Sequence, residues 1–206
     1  MIGRFVGTAH TLLRRRDVTA LGLLALLGGH ASLAQATAGM DAPQVSRPAI
    51  GPLPRVPLTT MNGQPRWLDS ELAVDAPLVL NFIFTTCSSS CSVQTAVLAQ
   101  VQQAWAARKR PLRFASITID PDNDTPEQLR RFSKSFGVHS GWEFYTGRFD
   151  DLLRVQRHFD VYRGSKASHP PVLMLRRHPR SPWLRVEGFP TAAQIVALLD
   201  SLPEAA

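Results

Sequence analysis

The chain has 206 residues, of which 44% are hydrophobic and 19% are charged. This balance is typical of one globular domain and excludes a disordered chain and a multi-span membrane protein. The net charge of +7 does not indicate nucleic-acid binding, because residues 1–36 hold four arginines and one aspartate, and the remainder, with 19 basic and 15 acidic residues, has no run of interleaved basic and aromatic residues.

The first 38 residues are predicted to be an export signal peptide. Four arginines precede the short apolar stretch 20–27, and small residues then form A-x-A cleavage patterns within residues 34–38. An uncleaved anchor is the alternative, because residues 18–40 carry no formal charge and are long enough to span a bilayer. The paired Arg15-Arg16 also leaves twin-arginine export open. We expect a protein of the periplasm or cell envelope, membrane-associated if the signal is retained.

Residues 39–55 are predicted to form a proline-rich tether, and residues 56–206 the folded domain. Five prolines lie between positions 41 and 57, where the sequence shows little periodicity. The domain then opens with a predicted hairpin of residues 56–60 and 66–68. Asn62-Gly63 lies between these segments and tolerates the positive φ angles of a tight turn.

The rest of the chain alternates between strand and helix patterns. Residues 78–84 (LVLNFIF) are a nearly unbroken apolar run, which predicts a strand covered on both faces. Further strands are predicted at residues 112–119, 143–145, 172–176 and 183–186, and helices at residues 92–108, 125–136, 150–159 and 191–202. This order predicts the α/β fold class, as a thioredoxin-like layer sandwich with an N-terminal hairpin.

The only two cysteines, Cys87 and Cys91, lie between the first central strand and the long helix that follows it. At a helix start, the i, i+4 spacing places both thiols on one side, within reach of a disulfide or of one shared metal ion. Cys87 is expected to be the more reactive thiol, because the helix N-terminus stabilises thiolate. A purely structural disulfide is the alternative, although closing so short a loop contributes only about 2 kcal/mol.

A metal ion needs ligands beyond the two sulfurs, and four histidines follow the tether: His139, His158, His169 and His178. His169 is the candidate ligand, because it directly precedes Pro170-Pro171 and a predicted strand. Thioredoxin-like folds bring a proline-containing loop at this place against the cysteine turn. His158 is instead expected to be a surface group at a helix end.

The acidic run after the second central strand is a weaker signal. Asp120, Asp122 and Asp124 lack the glycine and the distal glutamate of an EF-hand calcium loop. We expect them to be loop and cap residues, with Asp120 helping to orient the site.

Four segments must be considered together: F-x-F-T-x-C-x3-C at residues 82–91, DP-x-x-DTP at 120–126, GW-x-F-x-TG at 141–147, and His169 before a hydrophobic strand. Over roughly residues 56–203 their order and intervals resemble the Sco family of copper-binding, thioredoxin-like proteins of cytochrome oxidase assembly. Two positions depart from the family pattern. Ser92 stands where proline is usual, and Ser168 where an aspartate commonly precedes the histidine.

The resemblance implies that Cys87, Cys91 and His169 are copper ligands. It also implies a metallochaperone for the dinuclear copper centre of a respiratory cytochrome oxidase, with the copper-receiving oxidase subunit and a thiol reductant as partners. The alternative is a thiol–disulfide oxidoreductase that keeps the cysteines of that target reduced and uses the same two cysteines as its redox pair. The C-x3-C spacing together with His169 favours the metal, because pure oxidoreductases of this fold usually carry C-x2-C.

Overall fold

The computed structural model describes residues 42–203. The predicted signal peptide, residues 1–38, lies outside the described residues. Within residues 42–203, no helix has the length and apolar character needed to cross a membrane.

The described chain forms one sheet of eight strands with five α-helices around it. The strands are β1 Gln44–Ser46, β2 Pro57–Thr60, β3 Pro65–Trp67, β4 Leu78–Ile83, β5 Arg113–Thr118, β6 Trp142–Thr146, β7 Val172–Arg176 and β8 Leu184–Glu187. The helices are α1 Leu68–Leu72, α2 Ser90–Ala106, α3 Pro126–Ser135, α4 Phe149–His158 and α5 Ala192–Ser201.

The sheet order is β1-β8-β7-β4-β5-β6-β2-β3, which places β4 and β5 at the centre. β4, β5 and β6 are parallel, and α2 and α3 make the two crossovers between them. β7 runs antiparallel to β4, with Asn81 opposite Leu173. The carboxyl end of β4 and the amino end of β7 therefore lie at the same end of the sheet. The predicted α/β layer sandwich is confirmed.

Two buried clusters cover the two faces of the sheet, as the apolar run of β4 predicts. Leu80 and Phe82 point into one cluster, with α1 and α4 residues, while Val79 and Ile83 point into the other, beneath α2 and α5. Asn81 is the exception in this run, and it is 1% exposed.

A buried hydrogen-bond chain accommodates Asn81. Trp142 Nε1 donates to Ser116 Oγ at 2.8 Å, Ser116 Oγ donates to Asn81 Oδ1 at 2.6 Å, and Asn81 Nδ2 donates to Gln94 Oε1 at 3.1 Å. This chain links three neighbouring strands to α2, the helix that carries Cys91. Buried polar groups with such partners avoid the cost of desolvation without a hydrogen bond.

The predicted turn and cap signals are confirmed. Gly63 has φ +77° in the hairpin turn, where Pro57 pairs with Trp67. Thr125 and Thr191 cap α3 and α5, since each side chain accepts from the backbone N–H three residues on.

Three short elements were not predicted from the sequence: β1, α1 and a 3₁₀ turn at Lys166–Ser168. β1 lies within the segment predicted as a tether, and all three of its residues are exposed. It exists because its backbone pairs with the edge of β8, with Val45 opposite Val186. The partner strand decides such a pairing, and the three residues carry no apolar period of their own.

Candidate metal centre

The two cysteines lie where β4 ends and α2 begins. The N–H of Cys87 donates to Phe84 O at 3.1 Å and closes a turn after the strand. The N–H of Cys91, in the first turn of α2, donates to Cys87 Sγ at 3.4 Å. The N-cap residue Ser89 makes no side-chain cap bond. The Cys87 sulfur therefore takes the capping role that a Ser or Asp oxygen usually has.

Hydrogen-bonding groups surround the sulfur of Cys87. Ser90 Oγ lies 3.5 Å and Ser89 Oγ 3.7 Å from Cys87 Sγ. Burial alone would raise the pKa of the Cys87 thiol, but the bonds from the Ser90 hydroxyl, from the Cys91 and Ser89 backbones and from the Ser89 hydroxyl lower that pKa to about 6. Cys87 is thus mainly thiolate at neutral pH, the form that binds metals and attacks disulfides.

Cys91 has the opposite character. Its side chain is buried, and burial together with the adjacent Cys87 raises the pKa of the Cys91 thiol to about 12. Both cysteines are free thiols. The pair therefore consists of one ionised and one protonated sulfur, and Cys91 must lose its proton before both sulfurs can hold one metal ion.

Ser92 holds the backbone of the cysteine turn. Its Oγ donates to Cys87 O at 2.8 Å, across the whole C-x3-C segment. The turn therefore has two internal hydrogen bonds, one from Ser92 Oγ to the Cys87 carbonyl and one from the Cys91 N–H to the Cys87 sulfur. The departure from proline at position 92 leaves the turn closed, through a side-chain bond that a proline could not make.

Asp124 anchors the turn to the neighbouring strand. Its carboxylate accepts from Thr85 N at 3.1 Å, from Thr85 Oγ1 at 2.5 Å and from Thr118 Oγ1 at 2.5 Å. Burial raises the pKa of Asp124, and these hydrogen bonds counteract that rise. The sequence predicts Asp124 only as a loop or cap residue, whereas the structure buries it completely, at 0% exposure. Threonines just beyond β4 and at the end of β5 were the available signal, since buried hydroxyls need an acceptor.

Asp120 makes an ion pair with the loop that carries His169. Its Oδ2 lies 2.5 Å from Lys166 Nζ, and both carboxylate oxygens accept from Asn123 Nδ2 at 3.0 Å. Lys166 Nζ also lies 5.7 Å from the centre of the Phe84 ring, beside the cysteine turn. This ion pair connects Asp120, just after β5, to the loop that carries His169, and the orienting role of Asp120 stays a prediction.

His169 packs against β4 at the cysteine end of the sheet. Its Nε2 lies 3.3 Å from Phe82 O, and its ring makes an edge contact with the Phe82 ring at 6.4 Å. A carbonyl can only accept, so Nε2 carries the proton and Nδ1 has a free lone pair. Among residues 42–203, Nδ1 is buried and has no hydrogen-bond partner. Burial lowers the pKa of His169, and the backbone groups of Phe82 and Val161 partly oppose that shift.

The structure brings Cys87 and Cys91 together but does not join His169 to them. In the described part of the chain, no three His, Cys, Asp or Glu side chains form a group that could hold a metal ion. His169 nevertheless lies on the loop that leads into β7, at the end of the sheet where β4 leads into the cysteine turn. The fold thus places all three predicted ligands at one end of the sheet.

The other histidines lie elsewhere. His139 is exposed beyond the end of α3, where its N–H donates to Gln102 Oε1 at 3.0 Å. His158 was expected to be a surface group, yet it is half-buried against the Phe159 ring, and burial lowers its pKa. His178 lies in the turn between β7 and β8.

Comparison with known proteins decides the family. A family model of SCO1/SenC proteins matches residues 57–178, a range that includes Cys87, Cys91, Asp120, Asp124 and His169. The chain belongs to the SCO1/SenC family. The resemblance seen in the four sequence segments is confirmed.

Individual SCO1/SenC relatives are distant. The SCO1 protein homolog of Bacillus subtilis is 30% identical over 92 residues, which cover 44% of this chain and 48%, about half, of that relative. The crystal structure of a SCO1/SenC family lipoprotein from Bacillus anthracis superposes with a TM-score of 0.65 at 23% identity, over 81% of this chain and all of that one. Bradyrhizobium japonicum ScoI with copper bound gives a TM-score of 0.58 at 23% identity, over 75% of this chain and all of that one. These structures establish the shared fold.

Proposed function

We propose that this protein binds copper through Cys87, Cys91 and His169. The observation that carries the proposal is the free thiol pair, in which Cys87 is held as thiolate by the first turn of α2. Soft thiolates favour Cu(I), and a neutral imidazole nitrogen extends the set to Cu(II). The unpartnered Nδ1 of His169 supplies such a nitrogen. The residues present therefore fit copper, and relatives of this fold have been solved with copper bound.

In this proposal copper is cargo. Cys87 makes the first contact, because its sulfur is already ionised at neutral pH. Cys91 joins after losing its proton, which copper binding makes favourable at a thiol whose pKa is otherwise about 12. His169 completes the set from the loop before β7. Three protein ligands leave one coordination position open, through which a receiving protein can take the ion by ligand exchange.

We infer that the recipient is the dinuclear copper centre of a respiratory cytochrome oxidase subunit. Membership of the family supports this inference, and one relative, BsSco, is described as a cytochrome c oxidase assembly protein. A thiol reductant is a second partner, because a Cys87–Cys91 disulfide cannot bind copper. The site would act in the periplasm or cell envelope, where the signal within residues 1–38 would direct the chain.

Thiol–disulfide exchange is the second candidate function, and the asymmetry of the thiol pair favours it. Cys87 thiolate would attack a partner disulfide and form a mixed disulfide, releasing one partner thiolate. Cys91 would then lose its proton and attack the Cys87 sulfur, releasing the second partner thiolate. Together the two steps oxidise Cys87 and Cys91 to one disulfide and reduce one partner disulfide to two thiols. His169 has no role in this chemistry, so the effect of replacing His169 on copper binding can distinguish the two functions.

Copper titration of the reduced chain separates the two functions. One copper ion per chain is expected, with thiolate-to-Cu(II) charge-transfer absorption for Cu(II) and retention of Cu(I) against a mild chelator. His169→Ala should weaken Cu(II) binding about tenfold or more and Cu(I) binding much less, because two thiolates suffice for the soft ion. His158→Ala is the matched control and should change neither.

Two outcomes would overturn the copper proposal. One is the absence of thiolate-to-copper absorption together with loss of Cu(I) to the chelator. The other is stoichiometric reduction of a model disulfide by a chain that retains no copper, which would favour the oxidoreductase. Equal losses in His169→Ala and His158→Ala would instead remove His169 from the ligand set.

A further inference from the structure

The loop before β7 ends in a short turn that joins Lys166 to His169. The His169 N–H donates to Lys166 O at 3.2 Å, and the Ser168 N–H donates to Ser165 O at 3.1 Å. The Ser165 side chain also accepts from the Ala167 N–H at 3.2 Å. These bonds close the turn, so the backbones of Lys166 and His169 move together.

This turn has little packing of its own. Residues 162–168 are all exposed, and a 3₁₀ helix of three residues is too short to be stable by itself. Arg163 is paired with Asp160 at 3.2 Å, but both residues belong to the segment between α4 and β7, so their ion pair does not connect the turn to the sheet. Other side-chain contacts must therefore hold the turn in place.

Lys166 makes such contacts with two other segments of the site. Its Nζ lies 2.5 Å from Asp120 Oδ2, just after β5, and 5.7 Å from the centre of the Phe84 ring. Phe84 leads into the cysteine turn, and its carbonyl accepts from the Cys87 N–H at 3.1 Å. A cation at this distance from an aromatic ring is attracted to it. Lys166 thus connects the His169 turn both to the loop after β5 and to the cysteine turn.

Asp120 is a fixed partner for the ammonium group of Lys166. It is 8% exposed, its N–H donates to Thr118 Oγ1 at 2.9 Å, and both its carboxylate oxygens accept from Asn123 Nδ2 at 3.0 Å. An ion pair between two exposed side chains contributes little, because both must lose their freedom to form it. Here only Lys166, whose side chain is 44% exposed, loses freedom. The pair therefore holds the turn more firmly than an ordinary surface ion pair would.

The position of this turn decides how far the His169 ring lies from the two sulfurs. The ring lies against β4, with Nε2 3.3 Å from Phe82 O, and within residues 42–203 it does not form a metal-binding group with Cys87 and Cys91. Copper binding must therefore bring the ring and the sulfurs closer together. A turn that is already held beside the cysteine turn has fewer positions to lose, which reduces the entropic cost of binding.

We propose that Lys166 is the positioning residue for His169: its ammonium group holds the turn of residues 165–169 against Asp120 and the cysteine turn, and so presents the imidazole to copper. Lys166 touches no metal in this proposal and acts only through His169. The inference rests on the proposed copper binding, and it adds the group that places the third ligand.

Lys166→Met tests this role, because methionine keeps most of the apolar stem and removes the charge. Cu(II) binding should weaken about three- to tenfold, as expected for the loss of one partly exposed charged hydrogen bond. The thiolate-to-Cu(II) absorption should shift toward that of His169→Ala. Cu(I) binding should change by less than about twofold, because two thiolates hold the soft ion. Lys166→Arg should restore Cu(II) binding, since a guanidinium also pairs with a carboxylate and stacks on an aromatic ring.

The His169→Ala background gives a sharper test. Lys166→Met should cause no further loss of Cu(II) binding in a chain that already lacks the imidazole, because Lys166 acts through His169. Lys134→Met is the matched control. Lys134 is exposed in the last turn of α3, which begins beyond Asp120 and returns to the amino end of β6, at the other end of the sheet. Its replacement should leave both copper affinities unchanged.

Hydrogen exchange on the copper-free chain measures the hold on the turn without copper. Exchange of the Ser168 and His169 amides should be about three- to tenfold faster in Lys166→Met and unchanged in Lys134→Met. Unchanged exchange in Lys166→Met, equal losses of Cu(I) and Cu(II), tighter Cu(II) binding, or a further loss in the His169→Ala background would each overturn the role of Lys166 while the unsubstituted chain still bound copper. An unsubstituted chain that bound no copper would instead overturn the proposed function, and this inference with it.

Discussion

At the scale of single residues, the difference between the two sulfurs is set by their neighbours. Cys87 receives bonds from a backbone N–H and from two serine hydroxyls, while Cys91 points into the core. Helix N-terminal position alone predicts that Cys87 is the more reactive. The serine hydroxyls strengthen that effect, because hydrogen bonds donated to a thiolate stabilise its charge and lower the pKa of the thiol.

We predict that alkylation of Cys87 by iodoacetamide follows its pKa of about 6. Only thiolate reacts, so the rate should rise about tenfold per pH unit below pH 6 and level off above about pH 7. Cys91, with a pKa of about 12, should stay unmodified up to pH 10. Peptide mapping by mass spectrometry after timed quenching would measure both rates.

Ser90→Ala gives the sharper form of this prediction. Loss of the hydroxyl that lies 3.5 Å from Cys87 Sγ should raise the midpoint of the alkylation profile by about one pH unit. Ser88→Ala is the control, because the exposed Ser88 makes no side-chain contact with the sulfur. An unchanged midpoint in Ser90→Ala would mean that the Ser90 hydroxyl does not contribute to the low pKa of Cys87.

The sequence could predict the site only in part at this scale. Cys87, Cys91 and His169 stand out because of residue type and spacing, and the fold brings them to one end of the sheet. Side-chain direction is a separate matter. The contact of His169 Nε2 with Phe82 O depends on the packing of the loop before β7 against β4, and these two segments lie far apart in the chain. The spacing of residues along the sequence does not show which way a side chain points or which groups it contacts.

At the scale of elements, long periodic segments were predictable and short ones were not. β4, α2 and α3 agree with the predicted segments to within two residues at most ends, because their own apolar patterns and caps define them. β1 and α1 have three and five residues. Neither has a side-chain signal strong enough to define it, so contacts with the rest of the fold decide their structure.

Asp124 shows how one buried carboxylate joins elements at the site. It connects the turn after β4 to the end of β5 just before α3 begins. We predict that Asp124→Ala lowers the free energy of unfolding by about 2–4 kcal/mol, because the buried Thr118 hydroxyl and two partly buried donors of Thr85 lose their acceptor. Urea unfolding followed by circular dichroism would measure the change.

Asp122→Ala is the matched control for this prediction. Asp122 is exposed and lies two residues away in the same loop. Its removal should change the free energy of unfolding by no more than about 0.5 kcal/mol. Similar losses in the two variants would show that loop charge, and not the bonds to Thr85 and Thr118, accounts for the effect.

At the scale of the whole molecule, copper and the disulfide compete for the same sulfurs. Only thiolates bind copper, so a Cys87–Cys91 disulfide must abolish binding, and bound copper must protect the pair from oxidation. The two states should also differ in stability. The bridged loop is only five residues long, so the disulfide can contribute no more than about 2 kcal/mol. Copper that binds only the folded chain contributes about 4 kcal/mol at a thousandfold excess over its Kd.

Thermal melts of the reduced, oxidised and copper-loaded chains test whether copper stabilises the fold more than the disulfide does. For a domain of this size 1 kcal/mol corresponds to about 2–4 °C, so copper should raise the Tm by about 8–16 °C and the disulfide by at most about 4–8 °C. A Cys87→Ser, Cys91→Ser double variant should show neither increase. If the oxidised chain still bound one equivalent of copper, or if copper left the Tm of the reduced chain unchanged, the thiols would not be the ligands. Thiol–disulfide exchange would then be the better account of the cysteine pair.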